Sequence, residues 1–414
     1  MLNKDNIREL AYVVIVSDVT PIEGYDRVEL AHVGGWTIVV GKGEFEPGDP
    51  AIYFEIDSKL PEVEPFINME FLAKKKYKVK TQKMCKSISQ GLLLSAENFG
   101  WTKGDTGQFA GDIPYIMDNE GALHIPGDED SCFLTKQLGV TYYIAEDNKR
   151  KVNSVVDPYK KMAQRNKKLF AHQPFRWLMK REWGRKLLLG VFGKKKDKRG
   201  WPSWVTKTDE ERVQNMPWIL NDKDPWVVTE KIDGTSTTFT LKKNHWPHDD
   251  EFIVCSRNVA FDKPDKKCFY ETNVYTEMAE KYDIYNKMKK MLDEDFKDCE
   301  WITIQGETYG PGVQKRDYHA PGHMFMAFNF ITSKEGRWGT ERMVEYLQNN
   351  YGIPCVPILD ANYILPNTVE ELLEYATDES VCDHELREGI VLRKPDGSQS
   401  FKAVSNPFLL KYHS

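Results

Sequence analysis

Lys231 stands at the end of a β-branched run, in Trp226-Val-Val-Thr-Glu-Lys231-Ile-Asp233-Gly234-Thr-Ser-Thr-Thr-Phe239, with a glycine turn into a second run directly behind it. This arrangement holds a primary amine at a strand end, on rigid backbone, where it can serve as a nucleophile once it loses its proton. A lone Lys-x-Asp-Gly is also what a solvated hairpin looks like, so the rest of the chain has to decide. Further elements follow in order: Ser256-Arg257-Asn258, Gln305-Gly306-Glu307, Ala327-Phe328-Asn329, Glu388-Gly389-Ile390 and Ser400-Phe401-Lys402. Glu307 and Glu388, with Asp233, are carboxylates of the kind that hold hard divalent ions, and Arg257 and Lys402 are cations suited to phosphate oxygens. The chain has no GxxxxGK[ST] loop and no GxGxxG after a strand, so a P-loop or Rossmann nucleotide site is excluded.

The ordered set resembles the covalent nucleotidyltransferases, the superfamily of ATP-dependent DNA and RNA ligases and messenger-RNA capping enzymes. It is most similar to RNA ligases whose OB domain precedes the nucleotidyltransferase domain, and the likeness takes in Lys207-Thr-Asp-Glu-Glu-Arg212-Val-Gln214-Asn215 ahead of the lysine element. DNA ligases and capping enzymes carry an OB domain after the last lysine element, and only Ala403 to Ser414 follow it here. The expectation is therefore an RNA ligase, with a DNA nick ligase, a GTP-using capping enzyme or a catalytically inactive nucleic-acid-binding module as the alternatives. Two departures stand out. The superfamily's last element often reads KxK, but here it is Lys402-Ala403-Val404, with Lys411 a distant substitute; and Asn244 to Glu251 reads as a loop insertion.

The resemblance implies a chemistry and assigns roles. Lys231 attacks the α-phosphorus of ATP and holds AMP; the AMP passes to an RNA 5′-phosphate, and a 3′-hydroxyl displaces it to seal a nicked or broken strand. Asp233, Glu307 and Glu388 would hold Mg²⁺ or Mn²⁺, Arg257 and Lys402 would contact α-phosphate or ribose-side oxygens, and Phe328 would stack on adenine. Glu230, Ser236, Arg212 and Gln214 complete the expected nucleotide contacts. A lysine with the ordinary pKa of about 10.4 is neutral to roughly one part in 2,500 at pH 7, so desolvation and nearby cations are expected to lower that value.

The elements that position these residues can also be read. The first ~145 residues are β-rich: Tyr12–Val19, Val28–Val33, Trp36–Val40, Ala51–Ile56, Tyr77–Thr81 and Gly91–Leu94 are short apolar runs separated by turn signals such as Gly34-Gly35. They predict a small barrel of the OB type. The lysines between Lys74 and Lys86 are either part of its nucleic-acid face or a charged β-edge that deters aggregation. From about 205 onward the pattern is α+β: strands at Trp226–Glu230, Thr235–Leu241, Phe252–Cys255, Trp301–Gln305, Met324–Ile331 and Gly389–Arg393. Helices are predicted over Asn273 to about Phe296, over Thr340–Asn349, and from the capping box Thr368-x-x-Glu371. The expected division is 1–145 OB domain, 146–204 basic segment and 205–414 nucleotidyltransferase domain of antiparallel sheets and helices.

At 414 residues, 40% hydrophobic and 29% charged, the composition is that of a folded multidomain protein. The net charge of −6 conceals an asymmetry: Lys149 to Arg199 carry 18 Lys+Arg against Asp157, Glu182 and Asp197, leaving −21 elsewhere. Such a basic stretch suits a phosphate-rich partner, with a solvated linker as the bland alternative; 174–190, apolar and basic in turn, reads as an amphipathic helix. The polar N-terminus and the absence of a long apolar run place the chain in the cytoplasm, off the membrane, and a monomer is expected. Seven cysteines without a CxxC, and an isolated His245-x-x-His248, argue against a disulfide framework and a zinc site.

Overall fold

The strand that ends at Glu230 and the strand that begins at Thr235 belong to different sheets in the computed structural model of the chain. It describes residues 1–3, 5–99, 133–143, 201–207, 209–244, 249–261 and 273–413, with four two-residue strands between 108 and 124 and Leu188. Met1–Tyr142 and Trp204–Ser414 form one compact unit; the second, Tyr143–Ser203, lies almost wholly outside the described residues, as do the 174–190 helix expectation and His245 and His248. Among the described residues no helix is long and apolar enough to cross a membrane.

Trp226–Glu230 lies inside a four-stranded sheet, between Ile358–Tyr363 and Gly389–Arg393, with Ser400–Val404 beyond the latter. Thr235–Lys242 lies inside a six-stranded sheet, between Glu251–Ser256 and Trp301–Tyr309, and Met324–Thr332 pairs outside Trp301–Tyr309. Every pairing is antiparallel. The short link Lys231–Gly234 thus crosses from one sheet to the other. The Thr-rich strand suits burial on both faces because its hydroxyls find partners: Thr237 Oγ1 lies 2.7 Å from Thr308 Oγ1, and Thr303 Oγ1 donates to Thr240 Oγ1 at 2.8 Å. Helices at Val274–Lys281, Ile284–Lys290 and Thr340–Val344 supply Met278, Met288 and Met343 to the core of the larger sheet.

A β-bulge at Gln305-Gly306 is specific to the site. Gln305 pairs with Asn329 and Gly306 with Ala327, which leaves Phe328 as the extra residue and turns its side chain out of the regular alternation. Gly306 is required because a Cβ there would lie 2.3 Å from both the Met326 carbonyl oxygen and the Phe325 ring. Gly306→Ala should therefore cost about 2 kcal/mol, as overpacked interiors do, with a lower midpoint in thermal unfolding and impaired activity as Glu307 and Phe328 shift together.

The N-terminal region is β-rich, as expected, with Ala11–Ile15, Pro50–Phe54 and Leu92–Ser95 in one sheet and Asp18–Ile22, Tyr25–Val33 and Trp36–Gly41 in another. Its core holds Tyr12, Val33, Trp36, Ile38 and Tyr53. Three expectations need correction. The Tyr12–Val19 run is two strands, because the chain leaves one sheet for the other at Val16-Ser17, where Val16 N–H donates to Asp49 O. Tyr77–Thr81 is not a strand: Lys76 and Tyr77 have φ of 54° and 57° as the chain turns out of the helix Glu70–Lys74, burying Tyr77. The helix expected over Asn273 to Phe296 is broken at Asp283, whose φ is 50°, and ends in a wider turn over Met291–Asp295. The Thr368 capping box forms with both of its hydrogen bonds.

Candidate active site

A cavity of about 370 Å³ opens where the two sheets meet at Lys231–Gly234. Its walls include Lys231, Asp233, Ser236, Arg257, Glu307, Phe328, Glu388 and Lys402, together with Glu230. Lys231 and Lys402, 171 positions apart in sequence, are thus brought to one place. The lysine turn is tightly held: Lys231 N–H donates to Gly389 O at 3.0 Å, and a Cβ at Gly234 would lie 2.3 Å from Thr308 O.

Lys231 Nζ lies 2.6 Å from Glu388 Oε1. Burial pulls the ammonium's pKa down, but the facing Glu388 and Glu307 carboxylates and the Glu388 hydrogen bond outweigh it, and the net shift is upward. The expectation that burial and the protein's own cations lower this pKa is therefore corrected: the facing carboxylates outweigh burial. Glu388 is raised by burial, against the pull of Lys231. Glu307 is pushed up to about 8, by burial first and by Glu388 and Asp233 in addition, against the attraction of Lys231 and Arg257.

That shift has a consequence for stability. Between the ordinary carboxyl range and about pH 8 the unfolded chain is ionised at 307 while the folded chain keeps its proton, so rising pH costs stability across this window. Glu307→Gln removes the cost, and its Tm relative to the wild type should climb by a few degrees between pH 5 and pH 8.5, read by calorimetry.

Asp233 is buried, and its backbone N–H donates to Tyr318 Oη at 2.7 Å. His413 Nε2 lies 3.0 Å from Asp233 Oδ1, and this contact pushes the imidazole pKa up. Asp233, Glu307 and Glu388 face one cavity, but among the described residues no group of three His, Cys, Asp or Glu is arranged to hold a metal ion. Lys231 takes one oxygen of Glu388 and His413 one of Asp233. Their second oxygens, Glu388 Oε2 and Asp233 Oδ2, are buried without a hydrogen-bond partner. Two such acceptors fit a cation.

Lys402 Nζ lies 3.3 Å from Asp209 Oδ1, with its pKa lowered by burial, and Arg257 pairs with the other oxygen of Asp209. Ser236, opposite Glu307 in the sheet, is half-buried on the wall. The Glu230 carboxylate turns to the Ser380 hydroxyl and the Val381 N–H, leaving its backbone at the cavity. Arg393 Nη1 donates to Phe328 O at 2.9 Å and so holds the bulge in place.

Arg212 and Gln214 do not line the cavity. The Arg212 guanidinium lies 5.8 Å from the Trp36 ring centroid, and Gln214 Nε2 donates to Gly35 O, so both turn to the Gly34-Gly35 turn of the N-terminal region. The cause is local: Lys402 N–H donates to Glu211 O, Arg212 bridges Lys402, and the short helical turns Val213–Asn215 and Pro217–Asn221 then carry the chain away. Sequence reasoning missed His413, Tyr318 and Asp209. Only Asp209 carried a signal, its place in the segment before the lysine element.

Residues 224–413 match the model of the RNA ligase family, and residues 10–96 match an OB-fold domain. Among solved structures, a Naegleria gruberi RNA ligase with PPi is 26% identical, with a TM-score of 0.59 over 98% of this chain and 99% of that one. A lysine-to-alanine mutant of the same ligase with ATP and Mn is 25% identical, and a glutamate-to-alanine mutant with AMP and Mn 26%, each with a TM-score of 0.61 over 98% of this chain and 99% of that one. Among curated proteins none matches the chain. The chain thus carries an RNA ligase domain behind an OB-fold domain, and it is similar along nearly its whole length to an RNA ligase.

Proposed function

We propose that this chain is an RNA ligase that seals 3′-hydroxyl and 5′-phosphate RNA ends with ATP, through AMP carried on Lys231 Nζ and then on the RNA 5′-phosphate. The observation that carries the reading is the convergence of Lys231, three carboxylates, two cations and Phe328 on one cavity at the junction of two sheets. Glu388 Oε1, at 2.6 Å, is placed to take the proton of the Lys231 ammonium as the nucleotide arrives, since burial favours the neutral carboxyl. Lys231 Nζ then attacks the α-phosphorus and pyrophosphate leaves. Phe328, half-buried and set outward by its bulge, offers a face to adenine. Lys402 and Arg257 bring positive charge to phosphate oxygens in the transition state. Mg²⁺ or Mn²⁺, for which the free oxygens of Asp233 and Glu388 and the carboxylate of Glu307 are the candidate ligands, would supply charge neutralisation at the phosphates. The solved relatives named above hold ATP, AMP, PPi and Mn, which supports the same ligands here.

Incubation with α-labelled ATP or GTP and a divalent metal tests the reading on a denaturing gel. Label from ATP alone is expected; label from GTP alone favours the capping reaction, and label from neither a binding module. Comparing sealing of nicked RNA with nicked DNA excludes or restores the DNA ligase.

In the proposed division of labour, residues 205–414 carry the chemistry, and residues 1–145 and the basic 146–204 hold the RNA. Neutralising Lys180, Arg181, Arg185 and Lys186 together should weaken RNA binding. It should also flatten the slope of log affinity against log salt, by up to about 0.9 for each duplex phosphate that these side chains neutralise in the wild type. An unchanged slope makes the segment a linker.

A further inference from the structure

Asp209 to Arg212 run as a strap along the last strand of the smaller sheet, pinned by the hydrogen bond from Lys402 N–H to Glu211 O at 2.8 Å and by the bridge between Arg212 and Lys402. Neighbouring side chains on such a strap diverge. Glu210 turns inward to Arg393 Nη2 at 3.1 Å and Arg337 Nη1 at 3.5 Å, an anchor that fixes the strap in place. Asp209 projects over the cavity mouth, one oxygen 3.3 Å from Lys402 Nζ and the other paired with Arg257 Nη2. One carboxylate therefore occupies both of the cations on which the proposed function relies for phosphate.

We propose that Asp209 is a built-in competitor for phosphate: it pairs with Lys402 and Arg257 until a phosphate group reaches them, gives them up to it, and reclaims them when that group leaves. A carboxylate and a phosphate present the same kind of oxygen pair to a guanidinium and an ammonium, so the two anions exclude each other there. The Asp209 side chain is 59% exposed, and exposed ion pairs are individually weak and easily exchanged. Asp209 thus tunes affinity without locking the site. Its function is to make any phosphate group that reaches the two cations, pyrophosphate included, bind more loosely.

The inference rests on the proposed phosphate roles of Lys402 and Arg257, and its test is independent of the chemistry. Magnesium pyrophosphate is titrated calorimetrically into the full-length protein. Asp209→Asn is expected to lower the Kd about three- to tenfold, and Asp209→Glu to stay within about twofold of the wild type. Higher salt should shrink the Asn effect, as screening weakens the pairing it removes. Glu211→Gln, which removes a charge two residues on whose side chain instead accepts from Asn215 Nδ2 at 2.8 Å, should change the Kd less than about twofold. An unchanged or raised Kd in Asp209→Asn, or an equal drop in Glu211→Gln, overturns the proposal. The wild-type adduct assay separately decides whether Lys231 is adenylated, so a failure of that reading is told apart from a failure of this one.

Discussion

Lys231→Ala is expected to form no enzyme–AMP adduct, with labelling at least about 10⁴-fold below the wild type, because covalent catalysis has no substitute for its nucleophile. Lys231→Arg should be equally inactive, since a guanidinium stays protonated at any workable pH and cannot attack phosphorus. The fold should survive. The Lys231 side chain is 25% exposed, and its main structural partner is Glu388, already driven by burial toward the neutral form. Deprived of the ammonium, Glu388 takes up a proton in preference to remaining a buried unpaired charge, which limits the cost. Circular dichroism and a Tm within a few degrees of the wild type, beside a blank adduct gel, are the combined result expected. Adduct in either variant would exclude Lys231 as the carrier of AMP.

Much of this site was legible because its parts carry local signatures that tertiary structure leaves intact. Trp226–Glu230 and Thr235–Lys242 are β-branched runs on either side of an Asp-Gly turn, and they form strands at those positions. What escaped was set by contacts between distant parts of the chain. Ile358–Tyr363 reads Ile-Leu-Asp-Ala-Asn-Tyr, without clear alternation, and forms a strand because it is an edge of the smaller sheet that needs to bury little. The helix break at Asp283 depends on one residue adopting a left-handed conformation that Asp tolerates without advertising it. Motif order did not show that the Arg212 and Gln214 side chains lie off the cavity wall, toward the Gly34-Gly35 turn. Electrostatics escaped for a similar reason. The sequence contains both the cations and the carboxylates, while the sign of the shift at Lys231 follows from a 2.6 Å separation that only the folded chain defines.

Glu388→Gln should move two properties of Lys231 in opposite directions. Adenylation is expected to fall by about 100-fold or more, since the variant loses both a proton acceptor within hydrogen-bond distance of the amine and a carboxylate oxygen proposed for the metal. The intrinsic reactivity of the amine should meanwhile rise. Glu388 is the leading influence raising the Lys231 pKa, and a neutral amide keeps the volume while removing that charge; burial then dominates and draws the pKa down. A pKa lower by one raises the neutral fraction about tenfold at pH 8, so a lysine-selective acylating reagent, mapped by mass spectrometry, should label Lys231 faster in Glu388→Gln than in the wild type. A merely misfolded pocket does not produce this pair of results, because it lowers catalysis without a selective gain at one lysine. Raising Mn²⁺ separates the two losses: if the metal is the larger share, adenylation recovers at least in part at high concentration, and Glu307→Ala should recover likewise. Slow acylation together with slow adenylation would instead mean that Glu388 does not control the charge on Lys231, and that the proton leaves the amine by another route.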